Sequence, residues 1–432
     1  MTSSRFNVVV IGGGPAGLSA AVAASSDGAS VLLVEKEARL GGILKQCIHD
    51  GFGVHRFNEN LTGPEYAFKD IKQLEQTNAY VLLQTTVTRV AKYDNFFYLT
   101  LCNRFGLLQV EAKSIVIATG CRERTDKLFA IHGSRPAGVL TAGCAQYYTN
   151  VLGQLPAKRA VILGSCNTGM IMARRLTLEG ASVLGVYEPM QMPQGSLSNV
   201  VQCLNDFDIP LHTEHTVTRV AGGSRLKSVE VYRVDKNLNL IRGSENRIQC
   251  DSLILSVGLV PDNDIPDSLG VPISDDTGGP VCDHTYMTMV DGVFCCGNST
   301  HINSLADHVS DSGEKAGLSA ARYMSGDRRL AEIRTSKDFL YVVPKYLNID
   351  MLHGEIFLYF RTREVREDMV VKVFIDGQEV SSQEYDSLRP PETERILLDL
   401  DTIVSTALTT ESRIELRMEK TQIPAKGSND SL

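Results

Sequence analysis

The chain has 432 residues, of which 43% are hydrophobic and 22% are charged, and its net charge is −8 with a pI near 5.7. This composition is that of a globular protein with room for two or three domains. The acidic balance argues against nucleic acid and anionic membranes as partners, because both favour a basic surface. No uncharged apolar run has the length of a membrane span, and residues 1–10 contain no targeting signal, so we expect a cytoplasmic protein.

The N-terminal sequence predicts a strand, a glycine turn, a helix and a second strand. An apolar run at residues 8–11 precedes Gly12-x-Gly14-x-x-Gly17, an alanine-rich stretch follows, and a second apolar run ends at Glu35. This order predicts a dinucleotide-binding unit whose glycines allow a tight turn, close approach of a pyrophosphate, and close helix–strand packing. The helix N-terminus would face the pyrophosphate, and Glu35 would accept hydrogen bonds from the adenosine ribose.

Two later apolar strands end in small residues. SIVIATG, at 114–120, closes with Ala118-Thr119-Gly120, and MTMVDGVFCCGN, at 287–298, closes with Gly297-Asn298. Together with the N-terminal unit, these strands resemble the two-dinucleotide-binding-domain flavoproteins of the pyridine nucleotide–disulfide oxidoreductase superfamily. The resemblance implies FAD as the cofactor, because the family places its ATG strand beside the FAD domain and contacts the ribitol and pyrophosphate from a late Gly-Asp. Asn298 replaces that Asp, and an amide still hydrogen-bonds a ribitol hydroxyl.

The resemblance also implies a set of FAD-binding residues: Gly12, Gly14, Pro15, Ala16, Gly17, Glu35, Lys36, Gly41, Gly42, Val87, Ala118, Thr119, Gly120, Gly297, Asn298, Ala306 and Asp307. In the family, the amphipathic helix that follows (304–326 here) points its N-terminus at the flavin pyrimidine, with residues 305–309 at the contact. The positive end of this helix would stabilise the negative charge of reduced flavin by about 0.3–2 kcal/mol.

The ten cysteines contain no CxxC and no close metal-ligand cluster, which predicts reduced thiols and no metal site. Disulfide reductases of the superfamily carry a closely spaced cysteine pair beside the flavin, and the sequence has none in either usual place. We therefore expect neither thioredoxin-reductase nor lipoamide-dehydrogenase activity. We also expect no iron–sulfur cluster bound by this chain.

A second nucleotide-binding unit begins near residue 158. A strand at 160–164 leads through the turn from Gly164 to Gly169 into a helix, and the next strand ends at Glu188. Cys166 replaces the middle glycine, so a Cβ intrudes where a pyrophosphate would lie. Two interpretations stay open. Gly164, Gly169 and Glu188 bind NAD, with Glu188 repelling the 2′-phosphate of NADP, or the fold is retained for packing with its nucleotide site impaired.

The sequence predicts an α/β fold with two Rossmann-like three-layer nucleotide-binding domains, the second inserted in the first, plus a C-terminal β-sandwich-like module. The FAD-binding domain would comprise 1–122 and 251–328, and the NAD(P)-binding-like domain 123–250. Short alternating runs separated by charged turns predict the β-rich module at 333–425, which we interpret as structural or docking. Residues 426–432 are polar and predict a flexible tail.

The segment GGILKQCIHDGFG, at 41–53, carries the catalytic candidates, because the resemblance implies that it runs beneath the isoalloxazine ring. Cys47, His49 and Asp50 lie within four positions there, and Lys45 and Gln46 add two long polar side chains. His49 would take the substrate proton as hydride leaves to N5, and Cys47 would pack or form a flavin adduct. The alternative is that these residues only fix the loop. Weaker candidates are His301, Asp307 and His308.

A narrower resemblance covers nearly the whole chain. The 41–53 segment, LTGPEY at 61–66, the helix at 172–181 and the C-terminal module resemble FAD-binding proteins associated with anaerobic glycerol-3-phosphate-dehydrogenase-like flavoenzymes. Those proteins usually accompany a small cysteine-rich protein. More distant similarity is to components of opine oxidases, hydrogen cyanide synthase and dye-linked proline dehydrogenases.

The narrower resemblance implies an FAD-dependent oxidoreductase that passes a hydride or electron pair through flavin N5 in a dehydrogenase system. One alternative is an electron-transfer or docking subunit that relays electrons for a partner dehydrogenase, and a weaker one is an FAD-bound scaffold. The partners we expect are a small-molecule substrate or nicotinamide, a partner dehydrogenase, a small cysteine-rich electron-transfer protein and further copies in an oligomer. The sequence does not name the substrate.

Overall fold

The computed structural model describes residues 4–404 and 408–421, and the tail predicted at 426–432 lies outside these residues. The chain forms two compact units. The first unit contains the chain up to Leu40, Gln73–Thr119, and the chain from Asn263 onward. The second unit contains Gly41–Lys72 and Gly120–Asp262.

The helices and strands follow one another in three stretches. Up to residue 119 they are β1 (Ser4–Ile11), α1 (Pro15–Ser26), β2 (Val31–Val34), α2 (Gly63–Glu75), β3 (Tyr80–Leu82), β4 (Thr86–Tyr93), β5 (Phe96–Asn103) and β6 (Gly106–Ile117). From 120 to 262 they are β7 (Cys121–Glu123), β8 (His132–Gly133), β9 (Val139–Thr141), α3 (Ala142–Asn150), β10 (Arg159–Leu163), α4 (Asn167–Leu178), β11 (Ser182–Glu188), α5 (Leu197–Cys203), β12 (Leu211–Thr213), β13 (His215–Gly222), β14 (Leu226–Arg233), β15 (Asn246–Gln249), β16 (Ser252–Leu255) and β17 (Leu259–Pro261). The last stretch contains α6 (Asp264–Ser268), β18 (Val293–Cys295), α7 (Ala306–Ala321), β19 (Leu330–Thr335), β20 (Phe339–Val343), β21 (Tyr346–Asn348), β22 (Glu355–Thr362), β23 (Arg366–Ile375), β24 (Gln378–Leu388), β25 (Glu394–Asp399), α8 (Leu400–Val404) and β26 (Ile414–Lys420).

The main sheet of the first unit has the strand order β3-β2-β1-β6-β5-β4, with β18 paired to β6. β1, β2 and β18 run parallel to their neighbours, and the runs of buried apolar residues along them are typical of parallel strands covered on both faces. Ile11 pairs with Ile117, and Ile117 pairs with Cys295. The carboxyl ends of β1, β6 and β18 therefore meet at one edge of the sheet.

The second unit is built on a parallel five-stranded sheet in the order β12-β11-β10-β16-β9. One face packs against helices, with Ile162 in a core that includes Ala145 of α3 and Met172 of α4. The other face packs against the four-stranded sheet β15-β14-β13-β8, with Val161 in a core that includes Val229. The unit thus has the three layers of a Rossmann-like domain.

The segment 41–72 groups with the second unit because polar contacts tie it to α3. Gln46 Nε2 donates to the backbone oxygen of Gly143 and to Gln146 Oε1, each at 3.0 Å. Asn150 Nδ2 donates to the backbone oxygen of Gln46 at 2.8 Å. The domain limits 1–122, 251–328, 123–250 and 333–425 stay predictions.

The C-terminal module consists of two sheets with the orders β21-β19-β26-β23-β24 and β20-β22-β25. They share one apolar core, in which Ile333 and Val371 of the larger sheet meet Phe360 and Ile396 of the smaller. This module lies in the first unit, where His284 Nδ1 accepts a hydrogen bond from the backbone N–H of Asn348 at 3.0 Å. The predicted fold class, two Rossmann-like sheets and a β-sandwich-like module, is confirmed.

Candidate functional site

The glycine turn after β1 leaves no room for side chains at two positions. Gly12 has φ of +107°, and a Cβ there would lie 2.4 Å from the backbone oxygen of Ala118 at the end of β6. A Cβ on Gly17 would lie 1.8 Å from the backbone oxygen of Gly12. Both residues therefore act as the sequence predicts, since the first turns the chain and the second lets α1 pack against the turn.

The N-terminus of α1 presents backbone donors. Gly14 occupies the N-cap position, and no side chain in residues 4–404 or 408–421 caps the helix there. Pro15 and Ala16 begin the helix, whose described first turn contains no acidic residue, so its backbone N–H groups suit an anion. Gly14 has φ of −78°, which any residue adopts, so a glycine matters there only because it lacks a Cβ.

Glu35 follows β2 and lies beside the glycine turn. It is 5% exposed, and its Oε2 accepts a hydrogen bond from the backbone N–H of Gly13 at 2.6 Å. Its Oε1 accepts from the backbone N–H of Glu37 at 2.7 Å. These bonds fix the carboxylate, whose further lone pairs suit a ribose hydroxyl. Lys36 is exposed, and Val87 lies half-buried on β4.

Asn298 lies at the same sheet edge, one residue beyond Gly297, and its amide has a defined direction. Asn298 Oδ1 accepts from the backbone N–H of Asn303 at 3.0 Å and from Asn303 Nδ2 at 3.3 Å. Oδ1 is therefore the accepting end of this amide and Nδ2 is its donor, whereas a carboxylate at this position would only accept. Thr119 Oγ1 lies 3.4 Å from Ser299 Oγ, which joins the ends of β6 and β18.

The N-terminus of α7 follows this loop. Leu305 occupies the N-cap position, Ala306 begins the helix, and no described side chain caps it. Asp307 and His308, in the first turn, are 4% and 5% exposed. The first turn of α7 therefore carries an acidic residue at the positive end of the helix dipole.

His301 is buried in the same loop. Thr300 Oγ1 donates to the backbone oxygen of Gly297 at 2.7 Å, so it accepts from His301 Nδ1, 3.3 Å away. The ring lies 6.1 Å from that of Tyr341 and 5.5 Å from that of Tyr359. Burial, with Arg361 and His308 nearby, lowers the pKa of His301 to about 3. His301 is therefore neutral near pH 7 and weakly basic, which suits a hydrogen-bond acceptor better than a general base.

The predicted catalytic segment lies in the second unit. Cys47 Sγ is 3.4 Å from the backbone oxygen of Ile43, and burial raises the pKa of the thiol to about 12, so it is protonated at neutral pH. His49 is half-buried, and its Nδ1 donates to the backbone oxygen of Asp50 at 2.9 Å, which leaves Nε2 as the acceptor. Its ring lies 5.0 Å from that of Phe52. Gly41, Gly42 and Gly120 also belong to this unit.

The second glycine turn repeats the geometry of the first. Glu188 Oε2 accepts from both the backbone N–H and the hydroxyl of Ser165, at 2.9 and 2.7 Å. Burial raises the pKa of Glu188, while these bonds and one from Met190 oppose the rise. Gly164 turns the chain with φ of +88°, and a Cβ on Gly169 would lie 2.4 Å from Ser256 Cβ.

Cys166 lies at the N-cap of α4 with φ of −61° and ψ of 157°, close to the −78° and −174° of Gly14 in the first turn. The backbone of the second turn therefore needs no glycine at this position. At this position the two turns differ in the Cβ and the thiol of Cys166.

Comparison with protein families then identifies the chain. The family described as pyridine nucleotide-disulphide oxidoreductase matches residues 6–321. The chain belongs to this family. Its members are FAD-binding oxidoreductases, and many also bind NAD(P). The match ends at the last residue of α7, so the C-terminal module lies beyond it.

Individual relatives are distant. An opine oxidase subunit from Agrobacterium tumefaciens (strain Ach5) is 25% identical over 358 residues, which are 77% of this chain and 68% of that protein. The structure of thioredoxin reductase from T. acidophilum superposes with a TM-score of 0.61 at 24% identity and covers 74% of this chain and 99% of its own. L-proline dehydrogenase from P. horikoshii gives 0.54 at 21%, with 76% and 58% covered. The two structures show the shared fold.

The cysteines are free thiols in this structure. All ten lie within the described residues, and none is in a disulfide. Cys295 and Cys296 are adjacent, a pair that a search for CxxC passes over, and both are fully buried. Burial raises the pKa of Cys296 to about 12. Among residues 4–404 and 408–421, no group of His, Cys, Asp and Glu has the arrangement of a metal site, and no helix is long and apolar enough to cross a membrane.

Proposed function

We propose that this family member binds FAD and passes a hydride or electron pair through flavin N5 as part of a dehydrogenase system. The observation that carries the proposal is the shared edge of β1, β6 and β18. There the glycine turn, Glu35, Thr119 and Asn298 converge within the first unit. The turn excludes side chains, and the N-terminus of α1 offers backbone donors, so the residues fit a dinucleotide.

Within this proposal each residue has a role toward the cofactor. The first turn of α1 binds the pyrophosphate, Glu35 binds the adenosine ribose, and the Asn298 amide donates to the ribitol. The bound flavin supplies hydride chemistry, while the protein orients it and adjusts its electrostatics. Ala118, Thr119 and the start of α7 complete the proposed contacts. The absence of CxxC supports transfer without a redox-active disulfide.

We propose that His49 accepts the substrate proton and that Cys47 has the lesser role. The acceptor Nε2 of His49 suits that transfer, whereas the Cys47 thiol is protonated at neutral pH. The resemblance to flavoproteins, rather than a measured distance to a flavin, is what supports this assignment. The alternative, that both residues fix the loop, is supported by their bonds to Asp50 and Ile43.

The second domain has two candidate roles. Glu188 and the turn of Gly164 and Gly169 would bind NAD rather than NADP, since a buried carboxylate repels a 2′-phosphate. Cys166 opposes this role, because its side chain occupies the place of the pyrophosphate. We propose that NAD binds weakly or not at all in the wild type.

A second candidate function is that of an electron-transfer or docking subunit. It is favoured by the likeness to the opine oxidase subunit of A. tumefaciens, of which this chain spans about two thirds. In this role the flavin relays electrons for a partner dehydrogenase, with a small cysteine-rich protein as a further partner in an oligomer. A relation to glycerol-3-phosphate-dehydrogenase-like systems and a cytoplasmic location belong to the same proposal.

Anaerobic mixing with NADH separates the two functions. If the chain acts alone as an NADH-dependent enzyme, the flavin absorbance bleaches rapidly on mixing, a result that would also contradict the weak NAD binding proposed above. If the chain relays electrons, bleaching requires a partner dehydrogenase and its substrate. Bleaching by neither treatment would contradict both functions. The variant Glu188→Ala is the control, because it removes the proposed NAD contact and leaves the FAD site intact.

A further inference from the structure

The C-terminal module makes a polar contact with the loop that carries Asn298. Arg361 of β22 donates from Nη2 to the backbone oxygen of Ile302 at 3.0 Å and from Nε to Thr393 Oγ1 at 2.8 Å. Thr393 Oγ1 donates to the same Ile302 oxygen at 3.2 Å, and the Thr393 N–H donates to Ser304 Oγ at 3.0 Å. Two side chains of the module thus hold one carbonyl of the loop.

Asn303, between the anchored residues Ile302 and Ser304, orients the side chain of Asn298. Asn303 follows Ile302 and precedes Ser304, and both its backbone N–H and its Nδ2 donate to Asn298 Oδ1. Asn303 Nδ2 also donates to the backbone oxygen of His301 at 3.1 Å. Displacement of Ile302 would therefore displace Asn303 and rotate the Asn298 amide.

We propose that Arg361 and Thr393 are positioning residues for the flavin site, and that through them the C-terminal module sets the affinity for FAD. This inference rests on the FAD site proposed above. The family match ends at residue 321, so Arg361 and Thr393 lie outside the residues that the family model matches. The module is thus part of the cofactor site, beyond the structural or docking role that its sequence indicates.

The test compares FAD dissociation constants of purified variants. Arg361→Met removes both donors at nearly constant length, and we expect it to weaken FAD binding about ten-fold, because a charged donor is lost from a partly buried acceptor. Arg395→Met is the matched control. Arg395 also reaches from the module to α7, lying 3.9 Å from Asp311, and its guanidinium packs over the Phe357 ring rather than on the Ile302 carbonyl, so we expect a change below about two-fold.

A double-mutant cycle separates positioning from general stabilisation. If Arg361 acts through Asn298, then Arg361→Met has little further effect on FAD binding in an Asn298→Ala background. Should Arg361→Met fail to fold, Thr393→Val, which replaces one hydroxyl by a methyl group, takes its place in the cycle.

Three results would each overturn this inference without contradicting the FAD site. The first is unchanged FAD affinity in a folded Arg361→Met protein, and the second is an equal loss of FAD affinity in Arg395→Met. The third is an effect of Arg361→Met on FAD affinity that is as large in the Asn298→Ala background as in the wild type. A wild-type protein that binds no FAD would overturn the proposed function, and the inference with it.

Discussion

We expect Gly17→Ala to destabilise the protein, although replacing glycine by alanine in a helix usually stabilises it. Residue 17 lies in the first turn of α1, where alanine in place of glycine ordinarily stabilises a helix by about 1 kcal/mol. Here the added Cβ would lie 1.8 Å from the backbone oxygen of Gly12 and 3.3 Å from Ala118 Cβ. Relief requires α1 to move by more than an ångström away from a buried sheet.

The change in the free energy of unfolding follows from these two opposing effects. Overpacking a close-packed interior typically costs about 1–3 kcal/mol, and a backbone oxygen cannot swing aside as a flexible side chain does. We expect a net loss of about 2 kcal/mol in the free energy of unfolding. Because the same movement displaces the N-terminus of α1 from the pyrophosphate, we also expect FAD binding to weaken by at least about ten-fold.

Chemical denaturation and cofactor content measure these effects. Gly326→Ala is the control, because no described atom outside its chain neighbours lies within 4 Å of a Cβ there, and we expect it to change stability by less than about 0.5 kcal/mol. A Gly17→Ala protein that is more stable than wild type and retains stoichiometric FAD would refute the assignment of this turn.

Three further predictions concern the two units. Cys166→Gly should strengthen NADH binding, because the backbone already matches that of Gly14; calorimetry that shows tight wild-type binding and no gain would contradict this. His49→Gln should slow flavin reduction by roughly 10²–10⁴-fold in stopped-flow experiments with FAD still bound, and Cys47→Ser should be milder; an unchanged rate in His49→Gln would leave the segment a structural loop. The pKa of His301 is about 3 in the folded protein, below its ordinary value of 6.5. As pH falls through the range between these two values, the unfolded chain binds a proton that the folded protein does not, so the free energy of unfolding decreases. Between pH 7.5 and 5.5 the wild type should lose about 1 kcal/mol more than His301→Gln in urea unfolding, and parallel losses would contradict this.

The local features of the cofactor site are predictable from sequence. A buried apolar run, a glycine turn and a terminal acid are separated by short fixed spacings, so β1, α1, β2 and Glu35 occur where the pattern predicts them. The strand ends at Ala118 and Gly297 are also predictable, since parallel strands bring their carboxyl ends to one edge.

Contacts between distant segments are not predictable in this way. Nothing in the sequence near Asn298 indicates that Asn303 fixes its amide, or that Arg361, some sixty residues later, holds the adjoining carbonyl. Those contacts depend on how the smaller sheet of the C-terminal module packs against the loop. The grouping of Gly41–Lys72 with α3 likewise depends on side-chain bonds such as that of Gln46 to Gly143, which carry no periodic signal.

The flavin content of the purified protein tests the central claim most directly. FAD released by denaturation is measured by absorbance and compared between the wild type and Gly14→Val. We predict one FAD for each wild-type chain and almost none in the variant, because a branched side chain at the N-cap of α1 occupies the place of the pyrophosphate. A wild type without FAD, or a variant that retains it in full, would contradict the proposed cofactor site.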